Sequence, residues 1–153
     1  MIFGQQANVT FTVTYIERFT LNLTQMTTPV VGYPVLVNDM KAALWARTAS
    51  RTDLALFWVD GFLPADYAGW AFDYNSRGAV LNALGSLRTA AHELGHCMGL
   101  FHCWDPRSES AQTKIADTEY KRLMGYGAGK FLRSKEIVKI NNWALPPNPL
   151  GGN

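Results

Sequence analysis

The sequence lacks the features that mark membrane-spanning and disordered chains. No apolar run approaches the roughly 18 residues that a membrane span needs, so no membrane-spanning segment is expected. Only 17% of the 153 residues are charged and 48% are hydrophobic, a balance that excludes disorder as the default state. A chain of this length is expected to form one domain with one sizeable core.

Two further absences concern partners and compartment. The 14 basic and 12 acidic residues give a net charge of +2, and because the basic residues are scattered, no nucleic-acid partner is expected. Residues 1–8 hold no basic stretch followed by an apolar segment, so no secretory signal is predicted. Export and release from a larger precursor chain both stay compatible with the sequence, and the compartment is left open.

Cysteine is scarce, with only Cys97 and Cys103 in the chain. Two cysteines are too few for a disulfide scaffold. They are six residues apart and could pair across the bend expected at Gly99. Two separate thiols, with Cys97 packed in the core, are the favoured state.

Hydrophobic periodicity predicts an α+β domain of three layers. Residues 8–16 alternate threonine with larger apolar residues, which is typical of a half-buried strand. Residues 38–50 have the spacing of an amphipathic helix. Three further strands are predicted at Leu54–Val59, Ala68–Phe72 and Ala79–Leu84. The first of them is apolar throughout, so we expect it to be buried on both faces.

Two serines predict where later helices begin. Ser86 can cap a helix from Leu87 to about Met98, and Ser134 can cap a last helix that ends near Ala144. An irregular stretch is expected from Cys103 to about residue 118, and the proline-rich residues 146–153 are expected to form a tail.

The three histidines, His92, His96 and His102, fall within one window of eleven residues. On a helix, His92 and His96 project from the same face one turn apart, where two imidazoles can hold one zinc ion at about 2.0–2.1 Å. Glu93 can lean over the same site without binding the metal. Gly99 can adopt a left-handed conformation and end the helix, so that His102 returns as third ligand. Three protein ligands leave a fourth position for water, as a catalytic zinc site requires.

This stretch, His-Glu-x-x-His-x-x-Gly-x-x-His, resembles the zinc-binding consensus of the metzincin metallopeptidases. Residues 123–126, Leu-Met-Gly-Tyr, resemble the methionine turn that is the second signature of this clan. The resemblance implies that Met124 forms a hydrophobic floor beneath the imidazoles, with Gly99 as the second structural support of the site. It also implies a metzincin-like zincin fold, in which a small twisted mixed sheet carries a backing helix and an active-site helix.

The same resemblance implies one catalytic domain over residues 1–153. An upper subdomain, residues 1–99, would hold the sheet and the active-site helix. A lower subdomain, residues 100–153, would hold the third ligand, the methionine turn and the final helix, with the cleft between the two.

The metzincin family stays unassigned. The cysteine that follows the third histidine, Cys103, is similar to the one at this position in the archaemetzincins. Those proteins, however, continue with further cysteines that bind a second zinc. This chain has none after Cys103, so one Zn²⁺ per chain is expected. The spacing of Met124 and Tyr126 is similar to the methionine turn of astacins and serralysins, in which the tyrosine can be an additional zinc ligand.

The resemblance implies a zinc metalloendopeptidase, in which Glu93 acts as general base and then as general acid on a zinc-activated water. Tyr126 is the second candidate catalytic residue. It either stabilises the oxyanion or binds zinc, or it only lines the specificity pocket. An edge strand at Gly69, Trp70 and Ala71 is the candidate substrate-binding segment, the alternative being that Trp70 is a core aromatic residue.

Two other functions stay open. One is a zinc amidase that acts on cell-wall peptide, as a toxin or effector domain released from a longer chain. The other is a non-catalytic zinc-binding module, although such a module has no need of Glu93. The expected partners are a peptide or protein substrate, with a cognate inhibitor and a larger precursor chain as further candidates.

Overall fold

The described part of the computed structural model contains three helices and three strands with defined ends. They are α1 (Ile2–Ala7), β1 (Ala55–Trp58), β2 (Gly69–Ala71), β3 (Gly78–Leu81), α2 (Leu87–Cys97) and α3 (Ser134–Ala144). The residues that the structure describes are 2–13, 15–18, 42, 46, 54–59, 68–74, 76–82, 85–108, 121–125 and 129–144.

Strand β3 is the central strand of a three-stranded mixed sheet. The order is β1-β3-β2, in which β1 pairs parallel and β2 antiparallel to β3. Strand β3 is buried along its whole length, and α2 packs against β2 and β3. The prediction of an α+β protein with a small mixed sheet is therefore confirmed at this level.

The prediction of a strand at residues 8–16 is wrong for the described part of that segment. Residues 2–7 form α1, and Asn8 follows it with a φ of 54°, a left-handed conformation that asparagine tolerates at helix ends. Residues 9–13, 15 and 16 belong to no strand, and Val13 and Ile16 are mostly exposed. An alternating pattern becomes a strand only where another strand pairs with it, and none of the described strands does.

The predicted strand at Leu54–Val59 forms as β1, but its predicted burial is wrong. Leu56 and Trp58 are 38% and 56% exposed, whereas Phe57 is buried and stacks on Phe72 with 5.7 Å between the ring centroids. Helix α2 lies over β2 and β3, so one face of β1 has no described helix above it. A continuous run of apolar residues does not indicate which face of the strand a helix covers.

A single apolar cluster joins the helices to the chain around Met124. Its fully buried members include Met98, Leu100, Met124 and Ile140, and α1 packs against α3. The cluster contains residues from before and after residue 99, the predicted subdomain boundary. The predicted subdomains therefore share a core in the described residues, and their boundary stays a prediction.

Helix α3 begins at a different cap from the one predicted. Ser134 is its first helical residue, and the carbonyl of Arg133 accepts the first helical bond from the Ile137 N–H at 2.9 Å. The Glu136 carboxylate accepts the Arg133 N–H at 2.7 Å and also pairs with the buried Arg122. The capping acceptor is thus Glu136 and not the serine.

The remaining predictions are covered only in part. Ala42 and Ala46 are helical, and residues 103–108 form turns and bends, but the rest of both predicted segments lies outside the described residues, as do Tyr126 and the tail. Among the helices that the structure describes, none has the length and hydropathy of a membrane span.

Candidate metal centre

Helix α2 begins at a capping box, which the sequence predicts only in part. Ser86 has extended backbone, and its hydroxyl accepts the Thr89 N–H at 3.1 Å while the Thr89 hydroxyl accepts the Ser86 N–H at 3.1 Å. Two N–H groups at the helix start are thereby satisfied. The predicted helix after Ser86 is confirmed, and it carries His92, Glu93 and His96.

The end of α2 is a Schellman turn built on Gly99. Gly99 has a φ of 83°, a conformation that residues with a Cβ rarely adopt. The Gly99 N–H donates to the His96 carbonyl at 2.8 Å, and the Leu100 N–H donates to the Gly95 carbonyl at 2.9 Å, the two bonds of that motif. The chain therefore reverses directly after the helix and returns towards it at His102.

Three imidazole nitrogens converge at this reversal. The Nε2 of His102 lies 3.2 Å from the Nε2 of His92 and 3.1 Å from the Nε2 of His96. One ligand atom from each residue lies within 4.8 Å of the others. These three histidines can hold a metal ion, as the sequence pattern predicts.

Backbone carbonyls fix the orientation of two of the rings. The His92 Nδ1–H donates to the Leu123 carbonyl at 2.7 Å, and the His96 Nδ1–H donates to the Leu100 carbonyl at 2.7 Å. Because a carbonyl only accepts, each Nδ1 carries the proton and each Nε2 presents its lone pair to the centre.

Burial also keeps the imidazoles neutral. It lowers the pKa of His92 to about 3 and that of His96 to about 4, and it lowers the pKa of His102 as well. Neutral imidazole is the form that binds a metal. The donor set is therefore in its metal-binding protonation state at neutral pH.

Glu93 follows His92 directly in helix α2 and is not one of the three clustered ligand residues. It is buried, and burial raises the pKa of its carboxyl group to about 7, against the opposing effects of a backbone hydrogen bond from Ala71 and of the Arg88 charge. A buried carboxyl whose pKa lies near neutrality can hold or release a proton at physiological pH. It is the one carboxyl among the predicted site residues.

Comparison of the chain with protein-family models, with curated proteins and with solved structures gives no match. The interpretation of the site therefore depends on the geometry and chemistry of its own residues.

Strand β2 lies directly over Glu93. A Cβ added at Gly69 would come within 2.8 Å of the Glu93 Cγ and 2.9 Å of the Thr89 Cγ2, so glycine permits the close approach of strand and helix. The predicted segment of Gly69, Trp70 and Ala71 is half-buried, and it forms one end of the described sheet.

Met124 is wholly buried on the other side of α2. A Cβ added at Gly95 would lie 2.7 Å from the Met124 Sδ, which places the methionine against the helix segment between the two helical histidines. The Met124 carbonyl accepts the Cys103 N–H at 3.1 Å. The turn at residues 123–125 is therefore bound both to α2 and to the chain after His102.

Aromatic rings that the sequence analysis did not single out enclose the cluster. Trp104 stacks on His102, with 4.3 Å between ring centroids and 9° between the planes. Tyr74 meets His96 edge-on at 5.1 Å, and its pKa is raised, mainly by burial. Tyr74 reaches His96 from a different segment, so its sequence position carries no signal for the contact, whereas Trp104 lies only two residues after His102.

Arg88 is the most informative residue that the sequence analysis missed. Its guanidinium donates to the carbonyls of Leu123, Gly125 and Gly129 at 2.9–3.0 Å. The signal was present in the helical spacing, because Arg88 lies four residues before His92 and so shares its face.

The two cysteines are separate buried thiols, as favoured from the sequence. The Cys97 thiol donates to the Gly78 carbonyl of β3 at 3.4 Å, and burial raises its pKa to about 12. Neither side chain joins the three histidines in the candidate metal centre.

Proposed function

We propose that this protein is a zinc-dependent metalloendopeptidase with a metzincin-like active site. The observation that carries the proposal is the convergence of three neutral imidazoles, His92, His96 and His102, at the helix that also carries the buried carboxyl of Glu93. A structural zinc site closes all four ligand positions with protein side chains. Here three histidines are brought together, and the residue that follows His92 is a buried carboxylic acid that can transfer protons.

The donor set suits zinc in its chemistry, and two of its three nitrogen separations are close to those of a tetrahedral zinc site. Tetrahedral zinc with nitrogen ligands at about 2.0–2.1 Å requires ligand nitrogens about 3.3–3.4 Å apart. The two Nε2 separations from His102 are 3.2 and 3.1 Å. Zinc bound by these nitrogens would supply a Lewis acid and lower the pKa of a water molecule to about 7.

Glu93 is proposed to move the protons of the reaction. Its raised pKa suits a group that first accepts a proton from the attacking water and then donates it to the leaving amine. The backbone hydrogen bond from Ala71 would hold the carboxyl group in place against strand β2. A non-catalytic zinc-binding module would have no use for a carboxyl group in this setting.

Strand β2 is proposed to bind the substrate backbone. The Phe72 N–H donates to Gly78, and the Asn82 N–H donates to Ala68, so the backbone groups of these alternate residues face β3. The backbone groups of Gly69 and Ala71 therefore face away from β3. Because the Ala71 N–H is bonded to Glu93, a substrate would pair with the Gly69 backbone and the Ala71 carbonyl. An extended peptide could add to this edge with its scissile bond near the histidines.

The remaining assignments belong to the same proposal. Met124 would form the floor of the site, Tyr126 would act on the oxyanion or bind zinc, and residues 1–99 and 100–153 would form the two sides of the cleft. One zinc per chain is expected.

Two measurements test the proposal. Metal analysis after zinc loading and removal of excess metal should give one zinc per chain in the wild type, and much less after His102→Ala. Zinc-loaded protein should then cleave members of a peptide library, with the products detected by mass spectrometry, and Glu93→Gln should cleave them about 10²–10⁴-fold more slowly. Zinc near zero or near two per chain would overturn the metal assignment.

A parallel reaction with purified cell-wall peptide separates the endopeptidase from the amidase. Cleavage confined to cell-wall peptide would favour the amidase. Stoichiometric zinc with no cleavage of either substrate class, by wild type or Glu93→Gln, would favour the binding module.

A further inference from the structure

Arg88 connects helix α2 to the turn that contains Met124. Its Nη2 donates to the Leu123 carbonyl at 3.0 Å and to the Gly125 carbonyl at 2.9 Å, and its Nε donates to the Gly129 carbonyl at 3.0 Å. The side chain is part-buried, where an unmade hydrogen bond is costly. One guanidinium thus binds the carbonyl before Met124 and the carbonyl after it.

The Leu123 carbonyl also accepts the Nδ1–H of His92, at 2.7 Å. A carbonyl oxygen has two lone pairs, so Arg88 and His92 can bind it at the same time. Because the two residues lie one turn apart on α2, helix, carbonyl and imidazole form one hydrogen-bonded unit. The position of this oxygen decides where the His92 ring points and which nitrogen carries its proton.

We propose that Arg88 is a positioning residue for the metal centre, which acts by holding the Leu123 carbonyl in the place that orients His92. The inference rests on the proposed metal site and adds to it a residue outside the histidine motif. Partners that orient a ligating histidine typically contribute about 10–100-fold to metal affinity. Arg88 would make that contribution through the shared carbonyl, without contacting the metal or the substrate.

Lysine should not replace arginine in this role. The planar guanidinium presents several N–H groups in a rigid fork, whereas the lysine ammonium is a single flexible point. Three carbonyls bound through two guanidinium nitrogens therefore need arginine. Arg88→Lys keeps the positive charge and removes the planar fork of N–H donors, whereas Arg88→Met removes both the charge and the donors.

Zinc affinity and the His92 tautomer are the readouts. Activity is a poor readout, because the charge of Arg88 also lowers the pKa of Glu93. Affinity is measured by competition with a chromophoric chelator, well below the melting temperature of each variant. The tautomer is read in the metal-free protein by long-range ¹⁵N–¹H NMR correlation, which distinguishes a protonated Nδ1 from a protonated Nε2.

Two controls separate positioning from simple stabilisation. Phe57→Ala removes a buried ring of strand β1 that lies outside the apolar cluster of Leu123 and Met124, and it should destabilise the protein while zinc affinity stays within about twofold of wild type. Arg18→Met removes an exposed arginine and should change neither quantity.

We expect Arg88→Lys and Arg88→Met to bind zinc about 10–100-fold more weakly than wild type, with His92 shifting from the Nδ1–H tautomer to a mixture. Affinity within about twofold of wild type in both variants, with the tautomer unchanged, would overturn the inference. An equal loss in Phe57→Ala would also overturn it, because the effect would then be one of stability.

The outcome is distinguishable from failure of the proposed function. If the wild type binds no zinc, the proposed function fails. The tautomer of His92 in the metal-free wild type and in Arg88→Met still decides whether Arg88 sets the orientation of that ring.

Discussion

The Nδ1–H of His96 donates to the carbonyl oxygen of Leu100 at 2.7 Å, so a histidine inside helix α2 is oriented by the turn that ends the helix. The same turn, with its left-handed Gly99, returns the chain to His102. One local backbone conformation therefore controls two of the three candidate metal ligands. A change in that conformation is expected to reach the metal site without altering any ligand.

Gly99→Ala tests this dependence. A Cβ in the left-handed region costs about 1–2 kcal/mol, and relief of that strain would move the Leu100 carbonyl and His102 together. We expect lower stability in urea denaturation and weaker zinc binding in chelator competition. Gly99→Asn is the matched control, because asparagine tolerates this conformation, and it should lie closer to wild type. Equal zinc affinity in Gly99→Ala and wild type would contradict the prediction.

Glu93→Gln separates proton transfer from metal binding. Glutamine is nearly isosteric and can still accept the backbone hydrogen bond of Ala71, but it cannot take a proton from water. We expect one zinc per chain, as in wild type, and peptide hydrolysis about 10²–10⁴-fold slower. Metal analysis and kinetics on one cleaved peptide measure the two effects. Loss of zinc in this variant would instead make Glu93 a ligand or a structural residue.

Tyr126→Phe distinguishes the roles proposed for Tyr126, a residue outside the described part of the chain. If its hydroxyl donates to the oxyanion, kcat should fall about 10²–10³-fold while KM and zinc content hardly change, as for an interaction made only in the transition state. If the ring only lines the pocket, phenylalanine keeps its shape and kcat should be nearly unchanged. Steady-state kinetics decides between the two.

The buried pair of Arg122 and Glu136 predicts a large effect on stability. Glu136→Gln leaves the Arg122 charge buried without its carboxylate partner, and breaking such a pair typically costs about 3–5 kcal/mol. Urea denaturation measures the loss. The double change Arg122→Met with Glu136→Gln should recover much of it, since neither member of the pair is then charged.

The pair of Asp105 and Arg107, in which only the aspartate is half-buried, is the comparison for that experiment. Its arginine side chain is 60% exposed, so Arg107→Met should cost far less than Glu136→Gln. Similar losses in both variants would mean that burial does not set the effect of the Arg122 pair.

The sequence predicted best where local signals and tertiary structure agree. Ser86 predicts the start of α2 and Gly99 its end, because capping and left-handed turns depend on single residue types. The spacing of His92 and His96 follows from the helical period alone. The prediction for His102 needed only the turn at Gly99, and these histidines do lie together.

The wrong and missed predictions have a common physical cause. Each depends on a contact with a residue that the local sequence pattern does not identify. Residues 8–16 have a strand pattern, but no described strand pairs with them. Helix α3 is capped by Glu136, its third residue, and not by Ser134. The carbonyls of Leu100 and Leu123 orient two histidines, but a backbone oxygen has no residue-specific signature. Arg88 could have been singled out by its helical spacing, but its carbonyl partners could not.

The reactivity of Cys97 can report local opening between helix α2 and the sheet. Its side chain is wholly buried, and its thiol faces the Gly78 carbonyl of the central strand, so an alkylating reagent can reach it only when helix α2 separates from the sheet. The rate of Cys97 alkylation, read by peptide mass spectrometry, therefore measures how often the histidine-bearing helix detaches. Zinc that binds the closed state would slow this rate in proportion to its occupancy, so a thiol outside the metal centre can report the loading of that centre without any substrate.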